Sequence, residues 1–191
     1  MKNIFLTAAI LIVASTITIA QTHTCGTLDQ PSKWLKKFQQ RLDQPNFQKN
    51  LDQELFVPLT IHIVGEDDGT GYVSISKLLD ALCTLNADFE DWNMQFFIQG
   101  NIRYINNSDW YRHDNFDSGR PMIRENNVPN TMNCFFVNLA AGIASGGYAG
   151  LDSYYTVVTN SATQASNQTW AHEIGHALSL PHTFEGWEAK R

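Results

Sequence analysis

The stretch HEIGHALSLPH, which runs from His172 to His182, determines how the rest of the 191-residue chain is interpreted. It contains the pattern H-E-x-x-H and ends in a third histidine. Residues four apart lie on one face of an α-helix, so we expect His172 and His176 to face one ion. With His182 they form a three-imidazole set, which holds zinc and leaves a fourth position open for water. We predict one catalytic Zn²⁺ there, with Glu173 as the general base that takes a proton from the water.

The alternative is a surface helix whose histidines are incidental. At about 100° per residue, the apolar residues of this helix fall on one side: Trp170, Ile174, Ala177 and Leu178. His172 and His176 fall on roughly the opposite side, with Glu173 beside them. An apolar back and a histidine front are typical of a helix that lies between a core and a cleft. This placement favours a metal site.

The same stretch resembles the metzincin signature H-E-x-x-H-x-x-G-x-x-H. HEIGHALSLPHTFEGW is most similar to the pappalysin (cytophagalysin) family, whose members typically read H-E-x-G-H-x-x-G-L-x-H-T-F here. VPLTIHIVG, PNTMNCFFV and GGYAG, earlier in the stretch from Val57 to Trp187, also resemble secreted bacterial members. The resemblance implies a secreted, zinc-dependent endopeptidase. It implies His172, His176 and His182 as zinc ligands and Glu173 as general base.

Two features depart from the family pattern. Ser179 stands where the family usually has glycine, which adopts the left-handed conformation that turns the chain from the helix toward the third ligand. Serine in that conformation costs about 1 kcal/mol, so we keep His182 as a ligand. Metzincins also have a methionine-containing turn after the third histidine, but the four methionines of this chain all precede it: Met1, Met94, Met122 and Met132.

The part of the chain after His182 is short, at nine residues. We therefore expect a fragment in which the C-terminal subdomain is missing. Residues 21–191 alone are expected to bind zinc weakly and to have negligible peptidase activity. Glu185 and Glu188 are alternative last ligands, but both follow the helix too closely for the usual distal glutamate.

The composition predicts a globular domain that does not bind nucleic acid. Hydrophobic residues make up 43% of the chain and aromatic residues 12%, as in proteins with a packed core. The net charge is −6 and no basic cluster occurs, so nucleic acid is not an expected partner. The partner that the resemblance implies is a protein or peptide substrate.

The N-terminus, residues 1–20, is typical of a secretory signal peptide. Lys2 supplies the positive charge, Ile4 to Ala20 supplies the apolar run, and small residues precede a cleavage point after Ala20. The alternative is a membrane anchor, but the run is short for a membrane span and contains four threonines and serines. No lipobox precedes Cys25. We expect a secreted protein that has no membrane contact after signal cleavage.

Residues 21–53 are polar and are predicted to be a leader or pro-segment, with a helix capped by Ser32 that extends to about Leu42. In several metzincin families, a thiolate from such a segment occupies the open zinc position and keeps the protease latent. Cys25 is placed to do this. The alternatives are an unpaired thiol or a disulfide with Cys83 or Cys134.

Residues 54–191 are predicted to be an incomplete metalloprotease catalytic domain of α/β (α+β) class. We expect a twisted mixed sheet with a backing helix and an active-site helix, as in the upper subdomain of a metzincin. The predicted strands are Leu55–Gly65, Met94–Ile105, Asn133–Leu139 and Tyr154–Asn160. The predicted helices run from Ser74 to about Trp92 and from Ser166 to Leu180, and Asn106–Asn133 is predicted to be a long polar loop.

Three shorter features complete the prediction. Asp67-Asp68-Gly69 is expected to be a turn, because the EF-hand spacing of a calcium loop is absent, and structural calcium is left open. His113 is expected to be a solvated side chain in the polar loop. The glycine-rich segment from Ala141 to Gly150 is either an edge strand that pairs with an extended substrate or a simple bend.

Two other functions are compatible with these residues. One is a zinc-binding protein without catalytic activity, because the lower subdomain is missing. The other is an exported, non-catalytic binding module in which the histidines are incidental. A measurement of bound metal would separate the zinc-binding protein from the binding module, which holds none. An assay of proteolysis would separate the inactive zinc-binding protein from an enzyme.

Overall fold

The structure is a computed structural model, and it describes residues 25–27, 33–42, 44, 53–144, 146–151 and 153–182. The predicted signal peptide, most of the predicted leader, and both Glu185 and Glu188 lie outside these residues. Within the described part of the chain, no helix combines the length and the apolar character that crossing a membrane would require.

The described residues form strands and helices that alternate along the chain. In chain order they are α1 Lys33–Leu42, β1 Leu55–Gly65, α2 Ile75–Asp88, β2 Met94–Ile98, β3 Arg103–Asn106, α3 Ser108–Tyr111, β4 Arg112–His113, α4 Phe116–Asn126, β5 Met132–Val137, β6 Leu139–Ala140, β7 Gly147–Ala149, β8 Tyr155–Thr159 and α5 Thr169–Ala177.

The main sheet is mixed and confirms the predicted α/β class. Its strand order is β2-β1-β5-β8-β7, and β3 also pairs with β1. The pairs that β1 makes with β2, β3 and β5 are parallel, as is the pair between β5 and β8. Only β7, at one edge, is antiparallel to its neighbour β8. The second half of β1 is an unbroken run of buried residues, because helices cover both faces of a parallel sheet.

Each face of the sheet packs against its own layer. On one face, Leu78 of α2 and Ile174 of α5 pack against inward-facing residues of β1 and β5. Phe136 meets Trp170 of α5 edge-on, with ring centroids 5.0 Å apart. On the other face, Phe135 belongs to a second buried cluster that includes Met122 of α4. The helix that carries H-E-x-x-H is therefore fixed on the sheet through its apolar side.

Several predicted elements are confirmed. The first strand has the predicted limits, Leu55–Gly65, and α1 ends at Leu42 as expected. Ser74 caps α2 by accepting a hydrogen bond from the Lys77 amide. The prediction that α2 reaches Trp92 is wrong, because the helix ends at Asp88 and a separate 3₁₀ turn follows.

The predicted strand Met94–Ile105 is two strands, β2 and β3. Both pair with β1, but Ile98 lies opposite Leu59 and Arg103 lies opposite His62. The chain therefore has two more residues than β1 between these points, and Gly100 accommodates the excess with a positive φ of 75°. The alternation of apolar and polar residues continues through this bend, so the sequence pattern does not indicate the bend.

The predicted polar loop Asn106–Asn133 is wrong, because it contains α3, β4 and α4. Asn107 and Asn115 cap the two helices through their side-chain oxygens. Inside α4, Gly119 and Pro121 are poor helix formers, and they obscure its helical pattern.

The prediction that His113 is solvated is also wrong, because its side chain is buried under this layer. Its Nδ1–H donates to the Trp110 carbonyl at 2.8 Å, so its Nε2 accepts the Tyr148 hydroxyl hydrogen bond at 3.0 Å. Burial lowers the pKa of His113.

Candidate metal centre

Helix α5 presents its histidines away from the core, as its sequence predicts. Trp170, Ile174 and Ala177 are buried against the sheet. His172 lies on the exposed side, and His176 lies one turn later, where it is more covered. Because the apolar side is held by packing, the orientation of the histidine side is set as well.

The end of α5 turns the chain back toward these histidines. The Leu180 amide donates to the Gly175 carbonyl at 2.9 Å and the Ser179 amide donates to the His176 carbonyl at 2.8 Å, which is a Schellman motif. Ser179 has a φ of 81°, so the predicted left-handed serine is confirmed. The turn brings His182 beside the helix.

The three histidines of the motif meet through their Nε2 atoms. His176 Nε2 is 3.0 Å from His172 Nε2 and 3.2 Å from His182 Nε2. His176 Nδ1 is 2.7 Å from the Leu180 carbonyl oxygen, which can only accept, so this nitrogen carries the proton. In the neutral ring, Nε2 then presents its lone pair to the cluster, as a metal ligand does.

A fourth donor comes from Cys25, which lies before the first strand in the chain. Cys25 Sγ is 3.5 Å from His176 Nε2. The four ligand atoms of Cys25, His172, His176 and His182 all lie within 4.8 Å of one another. The sequence indicated Cys25 only through a family resemblance, since 148 residues separate it from Glu173.

The separations from His176 to the other three donors are close to those around a tetrahedral ion. Around zinc, with Zn–N of about 2.0 Å and Zn–S of about 2.3 Å, two nitrogens lie about 3.3 Å apart and a nitrogen and sulfur about 3.5 Å apart. The separations from His176 are 3.0, 3.2 and 3.5 Å, and the other three donor pairs lie within 4.8 Å. Nitrogen and thiolate donors at these distances suit zinc better than calcium or magnesium, which take oxygen ligands.

Glu173 lies beside the donors and is fully buried. Its Oε2 accepts hydrogen bonds from the Thr27 hydroxyl at 3.1 Å and from the Cys25 thiol at 3.8 Å. Its Oε1 has no hydrogen-bond partner among the described residues. Burial raises the pKa of Glu173 to about 7, although the hydrogen bonds from Thr27 and Cys25 oppose the shift.

The pKa of the Cys25 thiol is also raised. Burial, together with the negative charge of Glu173, raises the pKa of Cys25 to about 11. A cation among the four donors would reverse this, because it favours the thiolate. The other two cysteines are free as well: Cys83 is exposed and Cys134 is buried. The alternative of a disulfide between Cys25 and either of the other two is therefore wrong.

Residues 25–27 reach the site by pairing with the edge of the sheet. Cys25 forms a parallel bridge with Gly147 of β7. The Gly26 amide donates to the Gly147 carbonyl at 2.9 Å. The second half of the glycine-rich segment is thus an edge strand, while its first half is a turn with positive φ at Ala141 and Gly142.

Gly147 and Thr27 are site residues that the sequence did not single out. A Cβ at Gly147 would lie 3.2 Å from Glu173 Cγ and 2.4 Å from the Val157 carbonyl oxygen, so only glycine fits there. Thr27 touches both Glu173 and Ala149 of β7. Neither position belongs to a periodic pattern, so only the tertiary structure identifies them.

No family model matches the chain. Two curated relatives are similar to it, and both are named extracellular metalloproteases. The one from Verticillium alfalfae is 28% identical over 155 residues, which cover 71% of this chain and 55% of the relative. The one from Pyricularia oryzae is 25% identical over 150 residues, which cover 69% of this chain and 52% of the relative. The chain spans about half the length of the curated relatives that it matches.

Proposed function

We propose that this chain carries the zinc-binding part of a secreted metalloendopeptidase. The observation that carries the proposal is the buried carboxylate of Glu173, which lies on the same helix as two of three convergent imidazoles. A purely structural metal site has no use for such a carboxylate. The names of the two relatives support the metalloprotease function and the extracellular location.

In this proposal, His172, His176 and His182 hold the ion and Glu173 moves the proton. Bound zinc would supply polarisation of the substrate carbonyl and a lowered pKa for water. Glu173 accepts a proton from the attacking water as the oxygen adds to the carbonyl carbon. It then gives that proton to the nitrogen as the peptide C–N bond breaks. The buried position of Glu173 keeps bulk water from competing for the carboxylate.

The substrate binds along β7 in the same proposal. Edge strands bind extended peptides through backbone hydrogen bonds. The leader takes the Gly147 carbonyl and the amide of Ala149. We infer that a substrate peptide uses the same backbone groups once the leader has left.

The proposal includes three domain assignments. Residues 1–20 are proposed to be a signal peptide that directs export, and residues 21–53 a leader that blocks the site. Residues 54–191 are proposed to carry the catalytic domain. Cys25 is proposed to be the fourth zinc ligand of a latent form, because its sulfur lies within 4.8 Å of the ligand nitrogens of the three histidines. A site with four protein donors is closed, and loss of the thiolate opens it.

Metal content tests the ligand assignment. For the protein expressed from its whole reading frame, we expect about one zinc per chain after dialysis, measured by inductively coupled plasma mass spectrometry. The double variant His172→Ala, His176→Ala should lose it. The control is His62→Gln, because His62 stacks on Phe135 on the opposite face of the sheet and should keep the metal. Zinc retained by the double variant would contradict the assignment.

Proteolysis tests the role of Glu173. In the protein expressed from its whole reading frame, Glu173→Gln should keep zinc and lose at least about 10²-fold of the peptidase activity. Near-normal turnover by this variant would show that another group is the base. Stoichiometric zinc with no peptidase activity, even after removal of residues 21–53, would favour the non-catalytic zinc protein. A chain that binds no metal would favour the binding module.

A further inference from the structure

Three consecutive leader residues, Cys25, Gly26 and Thr27, form what we call the CGT segment. Each meets a different part of the site. Cys25 faces the histidines, and Gly26 donates to the Gly147 carbonyl on β7. Thr27 is buried, and it contacts Glu173 through its side chain. In an extended segment, side chains two apart lie on the same face, so the thiol and the hydroxyl enter the site together.

The Thr27 hydroxyl both accepts and donates a hydrogen bond. It accepts the Ala149 amide hydrogen bond at 2.9 Å. Its one proton has two acceptors in range, Glu173 Oε2 at 3.1 Å and the Ala149 carbonyl at 3.2 Å. A carboxylate is the stronger acceptor, so the proton favours Glu173 when that group is ionised. One side chain therefore binds both the proposed base and the peptide-binding edge.

Thr27 also holds the thiol in place. Its backbone amide donates to Cys25 Sγ at 3.4 Å, which orients the sulfur toward His176. Gly26, between them, is pressed against the molecule. A Cβ there would lie 2.6 Å from Ile143 Cδ1 and 3.3 Å from Phe116. The segment therefore packs tightly against the rest of the molecule at Gly26, and this packing positions Cys25 and Thr27 together.

We propose that Thr27 is a second inhibitory contact, made in addition to the Cys25 thiol, that occupies Glu173 and β7. The proposal rests on the proposed function and deepens it, since it concerns how the same site is kept closed. Chemical loss of the thiol alone would vacate the fourth ligand position but would leave Glu173 and β7 occupied. Full opening requires that both contacts break.

The test compares Thr27→Val with Thr27→Ser. Valine keeps the shape of threonine and removes the hydroxyl, whereas serine keeps the hydroxyl. The probes are iodoacetamide, which alkylates Cys25 in the zinc-loaded chain, and hydrogen–deuterium exchange at β7. Both are read by mass spectrometry of peptides, so that the exposed Cys83 does not interfere. Urea unfolding of each variant confirms that it is folded.

We expect Thr27→Val to raise the alkylation rate of Cys25 by about 10-fold or more, because a hydrogen bond to a charged group is lost. Exchange at the Ala149 amide should rise as well, because valine offers it no acceptor. Thr27→Ser should stay within about threefold of the unchanged chain in both measurements. Rescue by serine separates a hydroxyl contact from packing, which valine preserves.

In the protein expressed from the whole reading frame, Cys25→Ser should raise the peptidase activity only in part. Cys25→Ser combined with Thr27→Val should raise that activity further. Thr27→Val that matches the unchanged chain in alkylation and exchange would overturn the proposal, whatever its metal content. Loss of metal binding by the unchanged chain would instead overturn the proposed function. Exchange at Ala149 would still report on Thr27 in that case, so the two failures are distinguishable.

Discussion

Two glycines near the site should respond in opposite directions to the same added methyl group. At Gly147, a Cβ would lie 2.4 Å from the Val157 carbonyl oxygen and 3.3 Å from Val158 Cα. Both are backbone atoms of β8, so β7 must move away from its partner, which costs about 1–3 kcal/mol. At Gly175, inside α5, the nearest atom is Leu180 Cδ1 at 3.7 Å, which is ordinary contact. Alanine there gains about 0.8–1 kcal/mol of helix propensity.

We therefore expect Gly147→Ala to lower the free energy of unfolding and Gly175→Ala to raise it, with a separation of about 2–4 kcal/mol. Urea unfolding of the metal-free chain, followed by tryptophan fluorescence in the presence of a chelator, measures both. The urea dependence of each should stay unchanged, so that the midpoints alone report stability. Gly175→Ala serves as the control for a bulkier residue near the metal donors. The reasoning fails if Gly147→Ala is as stable as the unchanged chain.

Three further predictions each concern one residue. Burial lowers the pKa of His62 from 6.5 to about 4, so unfolding takes up a proton between these values and stability falls as pH falls. The free energy of unfolding should be about 2 kcal/mol smaller at pH 5 than at pH 7.5 from this group, and His62→Gln should remove that part of the slope in urea titrations. Ser179→Val puts a branched residue at a φ of 81°, which strains the turn that positions His182. In a chelator competition this variant should bind zinc about 10-fold more weakly, whereas Ser179→Gly should bind zinc as tightly as the unchanged chain. Tyr148→Phe leaves the buried Nε2 of His113 without its donor and should cost about 1–3 kcal/mol in thermal or urea unfolding, while a loss below about 0.5 kcal/mol would contradict that hydrogen bond.

The elements that could be predicted from sequence are those that local pattern controls. β1 is a long apolar run, and the histidines of α5 follow from the helical repeat alone. The layer formed by α3 and α4 was missed, because Gly119 and Pro121 interrupt the pattern and burial of Met122 is a tertiary contact. The division into β2 and β3 was missed for a similar reason. A positive φ at Gly100 changes the register and leaves the alternation of apolar residues intact.

The site, too, has residues that local pattern predicts and residues that it does not. His172 and His176 are one helical turn apart, so their meeting is a matter of local geometry. The contact between Thr27 and Glu173 joins residues 146 positions apart, and no local pattern encodes it. At the level of sequence, only the family resemblance points to Cys25. The histidine cluster could thus be predicted, whereas the leader contacts had to be seen.

The outer edge of β7 bears on the self-association of the molecule. An uncovered strand edge pairs readily with the edge of another copy, because its amides and carbonyls are unsatisfied. Here Gly26 and Thr27 satisfy that edge. Departure of the leader would therefore expose a surface for which a peptide and a second copy compete. Self-association should then rise with protein concentration and fall when an extended peptide is added, as expected if the proposed leader also protects this edge from aggregation.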